Sequence, residues 1–301
     1  MSDYAYIEED DFLENPAPRL PICLCLDFSS SMNSLTSKDG NYNVVGEPKL
    51  VDGKMVQKVE GEGLTTRKEA LLKAVNEFRE AIKQEPQAVC SVELSVVTFN
   101  DQVKSLSPFV NVFNMDSIKY PKAVGKTHMY TGIQVALDMI EARKHEYQDN
   151  GIDHYQPWIV LITDGVPCGE DPKEISYALA RLKNKVEHKK VSLISICVKD
   201  DDRALRKLAE LVNGIPPIQI KSTDFSTWFR FLSQSAVQVS SSAYIEVSDE
   251  EPSIAKQVIE LAAEEGNVEG KTIIMDENNN AHTFSMASIQ SEKKSWDSIV
   301  K

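Results

Sequence analysis

The chain has 301 residues, 42% of them apolar, and a formal net charge of −13. That length suits one large domain, or one domain with an appendage, and the apolar fraction suffices for a sizeable core. No run approaches the ~18 apolar residues of a membrane span, and the negative charge opposes long-range attraction to nucleic acid or anionic lipid.

The acidity belongs to the ends. Residues 1–19 carry six acids against one base and residues 244–301 carry twelve against five, so the stretch between them is close to neutral. This divides the chain into an acidic N-terminal segment (1–19), a main domain (20–243) and an acidic C-terminal extension (244–301). The first fourteen residues lack the basic and apolar regions of a signal peptide, which predicts a cytoplasmic protein. Three of the five cysteines, Cys23, Cys25 and Cys197, fall in strand-like runs and read as buried thiols of a reducing compartment.

The first predicted element is the apolar run 20–26, a buried strand ending at Asp27. The loop Asp27-Phe28-Ser29-Ser30-Ser31 follows at once. Open α/β sheets place their ligands at the carboxyl ends of strands. One carboxylate and two hydroxyls at D-x-S-x-S spacing are hard oxygen donors, suited to Mg²⁺ or Mn²⁺ rather than zinc. Residues 33–63 then intervene before the first helix, and residues 49–56 read as a β-hairpin around Asp52-Gly53.

A helix is expected over 65–83, capped by Thr65 or Thr66, with Leu71, Leu72, Val75, Phe78 and Ile82 at helical spacing. Residues 92–99 are a strand and 103–109 an edge strand. A helix over 132–143, continuing toward His145, follows the loop Gly125-Lys126-Thr127-His128, where Thr127 adds a third hydroxyl. The strand 158–163 ends at Asp164-Gly165, and the glycine permits a sharp turn. Helix 174–187, strand 191–198, helix 203–212, strand 218–220 and helix 225–239 complete the alternation. Strands separated by helices of this length imply a doubly wound, mostly parallel sheet flanked by helices, an α/β fold. In the extension, a helix over 253–263 and a hairpin of 272–275 with 282–286 are too small to build their own core.

The set Asp27, Ser29, Ser31, Thr127 and Asp164 resembles the metal-ion-dependent adhesion site of von Willebrand factor A domains. Thr127-His128-Met129-Tyr130-Thr131-Gly132-Ile133 resembles the threonine loop of integrin I domains. Over residues 19–243 the chain is similar to bacterial TerY-like proteins of tellurium-resistance and stress-response clusters. That likeness is carried by Leu20-Pro21-Ile22, Ile82-Lys83-Gln84-Glu85-Pro86, the stretch 94–100 and the stretch 228–235. The resemblance implies a von Willebrand factor A, Rossmann-like fold and a Mg²⁺ ion (or Mn²⁺) held by those five residues, with Thr131 as the competing threonine. It also implies an open position for a carboxylate from a protein partner, in systems that include a protein kinase and a PP2C-type phosphatase.

Two other readings stand beside a binding module. Asp27 could serve as the phosphoryl acceptor of an aspartate-dependent phosphohydrolase, but such enzymes need a second acid two residues on as general acid, and Ser29 stands there. No Gly-x-Ser-x-Gly and no phosphate-cradling glycine loop is present, so no catalytic activity is expected. A metal-independent scaffold is the remaining alternative.

Overall fold

A computed structural model describes residues 17–36, 42–51, 54–115, 117–164, 166–198, 202–214, 216–219 and 236, with two strands at 271–275 and 281–285. The acidic residues 1–16, the expected helix 225–239 apart from Ala236, the expected helix 253–263, the turns at 52–53 and 276–280, and Gly165 lie outside the described residues.

In chain order the elements are β1 (Leu20–Asp27), a 3-10 turn (Ser30–Asn33), β2 (Asn43–Val51), β3 (Lys54–Glu60), α1 (Arg67–Lys83), α2 (Pro86–Ser91), β4 (Val92–Phe99), β5 (Val103–Asn111), α3 (Met129–Asp149), β6 (Trp158–Thr163), α4 (Pro172–Glu187), β7 (Ser192–Cys197), α5 (Arg203–Val212), β8 (Ile218–Gln219), β9 (Lys271–Met275) and β10 (Ala281–Ser285). Six strands form one sheet in the order β5-β4-β1-β6-β7-β8. All neighbours are parallel except the edge strand β5, which is antiparallel to β4. With the β2–β3 hairpin left out, this is the doubly wound order, in which the chain leaves β1 first to one side and later to the other. The crevice of such a sheet opens at the carboxyl ends of the strands beside that reversal, where Asp27 and Asp164 stand.

Every residue of β1, β4, β6 and β7 is buried. Helices on both faces demand this, and it explains the unbroken apolar runs. Alternate side chains of β1 enter different cores. Leu20, Ile22, Leu24 and Leu26 pack with Leu71, Val75, Phe78 and Ile82 of α1. Cys23 and Cys25 pack with Ile133, Ala136, Leu137 and Ile140 of α3, beside Leu182 of α4 and Leu205 and Leu208 of α5. The three strand cysteines are therefore buried, and burial pushes the Cys23 thiol up to about 12.

Thr66 caps α1, and its side chain and that of Glu69 form a reciprocal capping box, which decides between the two candidate threonines. The expected helix 132–143 is longer at both ends, and Thr131 lies within it. Its start is fixed by a distant residue: Glu170 accepts bonds from the Tyr130 and Thr131 amides at 3.2 and 2.7 Å. The expected hairpin 49–56 is likewise longer, spanning β2 and β3, with a register shift between Val45 and Lys49. The short helix α2 was not expected; Pro86 at its first turn initiates it. In the extension, β9 and β10 pair antiparallel, as the turn-flanked apolar runs imply.

Gly132 lets α3 approach the sheet. A Cβ there would meet Phe99 Cδ1 at 2.9 Å and Cys25 Sγ at 3.3 Å. Gly132→Ala is expected to destabilise by about 1–3 kcal/mol through overpacking, more than the roughly 1 kcal/mol gained in helix propensity. Urea denaturation measures it. An unchanged midpoint would show that Phe99 gives way without cost.

Candidate metal centre

The β1 strand delivers Asp27 with no exposed surface, and the chain turns at once through a short loop. The Ser29 amide donates to Asp27 Oδ1 at 2.7 Å, closing that turn, and Thr163 at the end of β6 donates its hydroxyl to Asp27 Oδ2 at 2.5 Å. The Ser29 and Ser31 hydroxyls lie 3.0 Å apart. Ser31 donates to Asp164 Oδ1 at 2.5 Å. Asp27, Ser29, Ser31 and Asp164 thus form one continuous hydrogen-bonded set across two strand ends. Asp27, Ser29 and Asp164 are buried, and Ser31 is half-buried at the opening.

Thr127 lies on the adjacent loop and is also buried. That loop is held at each residue. Ser30 donates through both its amide and its hydroxyl to the Gly125 carbonyl, each at 3.1 Å. The Lys126 amide donates to Asp101 Oδ1 at 2.7 Å. The Thr127 carbonyl accepts from the Cys168 amide at 3.1 Å, and the His128 amide donates to the Asn100 carbonyl at 3.2 Å. Gly125 has φ +75°, and any Cβ there would collide with the Asp101 carboxylate, so glycine is required. The Phe28 ring stacks on Tyr120 with centroids 5.7 Å apart and planes 1° from parallel, joining the two loops. Thr131 is engaged elsewhere: its hydroxyl donates to Glu170 Oε1 at 2.9 Å.

Three contributors escape sequence reading. Ser30, an unassigned position of the D-x-S-x-S loop, is the clamp on Gly125. Thr163 reads as the last residue of a strand, and the one signal of its role is a hydroxyl one residue before a candidate ligand. Arg67 pairs with Asp164 Oδ2 from 97 positions earlier in the chain, which local sequence does not reveal.

Charge and chemistry fit a divalent cation. Two carboxylates share a buried site. Burial pushes the Asp27 carboxyl up to about 6, and the Asp164 charge adds to it, against the opposing bonds from Ser29 and Thr163. Mutual repulsion of this kind is relieved by a cation between the two groups. The donors are all hard oxygens, which suits Mg²⁺ or Mn²⁺.

The von Willebrand factor type A domain family matches residues 22–166, a span from β1 through Asp164. No curated protein matches the chain at a significant level. Among solved structures, the D319A mutant of the PilB minor pilin from Streptococcus sanguinis is similar at 11% identity and a TM-score of 0.52, covering 76% of this chain and 64% of that one. A von Willebrand factor type A structure from Catenulispora acidiphila is similar at 14% identity and a TM-score of 0.45, covering 73% and 43%. The proximal thread matrix protein 1 of the mussel byssus, with a zinc-occupied MIDAS motif, is similar at 15% identity and a TM-score of 0.42, covering 87% and 50%. The chain therefore spans between 43% and 64% of the length of these structures. At 11% identity the likeness to the minor pilin shows the fold alone, and residues 22–166 of that fold match the von Willebrand factor type A domain family.

Proposed function

We propose that this chain is a non-enzymatic protein-binding module whose affinity depends on a divalent cation, Mg²⁺ or Mn²⁺. The observation that carries the reading is the continuous set Asp27–Ser29–Ser31–Asp164 at the reversal point of the sheet, with Thr127 on the loop clamped beside it. Asp27, Ser29, Ser31, Thr127 and Asp164 would hold the ion. When bound, the ion supplies an electrophilic centre for one carboxylate of a partner. Between Thr127 and Thr131, the bond from Thr131 to Glu170 favours Thr127.

The chain's own residues do the rest. Thr163 and the Ser29 amide fix both oxygens of Asp27. Ser30, Asp101 and Asn100 hold the Thr127 loop in register. Val124 and Val166, on the two loops that flank the site, are exposed at 51% and 62% and offer apolar contact around a polar centre. The position two residues after Asp27 holds a hydroxyl rather than an acid, which disfavours phosphoryl transfer. Following the resemblance to TerY-like proteins, we place the module in a bacterial stress-response or defence system, with a protein kinase or a PP2C-type phosphatase among its partners.

Affinity capture with Mg²⁺ and with chelator tests the reading. The same partner should be retained only with Mg²⁺. Thr127→Ala is expected to weaken retention by about tenfold or more, while Thr131→Ala leaves it nearly unchanged. Retention that survives chelator, Asp27→Ala and Thr127→Ala alike would favour the metal-independent scaffold.

A further inference from the structure

The Asp164 carboxylate is shared between Ser31 and a guanidinium. Arg67 Nη1 pairs with Asp164 Oδ2, and the Arg67 side chain is 19% exposed while that of Asp164 is fully buried. The placement of Arg67 is built by the chain. The Thr36 amide donates to the Thr65 carbonyl and the Arg67 amide to the Ser34 carbonyl, each at 2.9 Å, and Leu35 bridges Thr66 between them. These contacts close the base of the insertion 33–63 and set the first residue of α1 beside the metal loop.

Helix physics does not explain an arginine there. The first turn of a helix favours acids, because the macrodipole places partial positive charge at that end. Arg67 opens the helix against that preference, and its partner is a carboxylate of the candidate centre. Its effect on the centre follows from charge. Asp27 and Asp164 together carry −2, and Arg67 reduces the local sum to −1. A divalent cation entering the site meets both a repelling positive charge and a competitor for Asp164 Oδ2.

We infer that Arg67 is a resident competitor of the cation, holding the site at lower affinity than its oxygen donors alone would give, so that the ion is readily exchanged. The inference rests on the cation-binding reading above. It assigns Arg67 an effect exerted by its charge and through Asp164 rather than by contact with the ion.

Calorimetric titration of the full chain with Mn²⁺ tests it, using wild type, Arg67→Met and Arg67→Lys, with melting in chelator to check folding. Removing the unit positive charge paired with Asp164 is expected to tighten Mn²⁺ binding about tenfold or more in Arg67→Met. Arg67→Lys, which restores the charge, should return the affinity close to wild type. If Arg67→Met fails to fold, Arg67→Gln removes the charge while keeping donors for Asp164, and the same tightening is expected. Equal or weaker binding in the neutral variants overturns the inference and makes Arg67 a simple support for Asp164. Absence of Mn²⁺ binding in wild type overturns the cation-binding reading itself, an outcome distinct from the first.

Discussion

Asp27→Ala is expected to abolish cation binding while leaving the fold intact. Both oxygens of Asp27 are fixed, one by the Ser29 amide in the loop and the other by Thr163 at the end of β6. Losing residues that merely orient ligands costs roughly 10–100-fold in metal affinity, so losing this carboxylate should cost more than about 100-fold. Stability should move the other way when chelator is present. A buried carboxyl whose pKa is raised to about 6 favours the folded state when protonated, and that advantage fades as pH rises through about 6. At pH 7 or above, Asp27→Asn keeps the shape and removes the charge, so its melting temperature in chelator should equal or exceed that of wild type. Wild type alone should gain melting temperature on adding Mg²⁺, because the ion binds only the folded state. A marked fall in melting temperature for Asp27→Asn in chelator would make Asp27 a structural residue.

The second large effect lies at the opposite end of the sheet. Glu93, near the start of β4, receives a fork from Arg143 of α3, with Nε to Oε2 at 2.7 Å and Nη2 to Oε1 at 2.8 Å. Tyr147 donates its hydroxyl to Glu93 Oε2 at 2.6 Å, and Arg19 approaches Oε1 at 3.5 Å. The Arg19, Arg143 and Glu93 side chains are each 5% exposed. Burying such a cluster contributes little net stability, but removing Glu93 takes the shared carboxylate away from two buried cations, of which Arg143 keeps its bond to Glu146 Oε2 at 2.6 Å. Glu93→Ala should therefore cost about 3–5 kcal/mol in urea denaturation. Cation affinity should be unchanged in the variant that remains folded, since the cluster lies away from the carboxyl ends of the strands. A loss under about 1 kcal/mol would mean that other groups already satisfy the two arginines.

The sheet was legible because buried parallel strands write themselves as short apolar runs and because the helices between them repeat at 3.6 residues. Ile22 to Leu26, Val92 to Phe99 and Trp158 to Thr163 all fall where those patterns put them. Asp27, Ser29 and Ser31 were legible as a set because one loop carries all three. What stayed hidden depends on contacts across the chain. The start of α3 is decided by Glu170, which lies 40 positions beyond Tyr130. Arg67 reaches Asp164 only after the insertion has folded back on itself. Ser30 looks like a spacer between two donors until its bonds to Gly125 are seen. The sequence read α3 as starting at Gly132 because glycine and the apolar positions after it begin a clear period, whereas a cap supplied from another loop leaves no local trace.

The most direct test of the account counts bound ions. Mn²⁺ free in solution gives a paramagnetic resonance signal that is lost on binding to protein. Titration of the full chain should remove one Mn²⁺ per chain from that signal, Mg²⁺ should restore it by competition, and Asp27→Ala should remove none. A wild-type protein that leaves the free Mn²⁺ signal unchanged at concentrations where folded chain exceeds added ion would contradict the account.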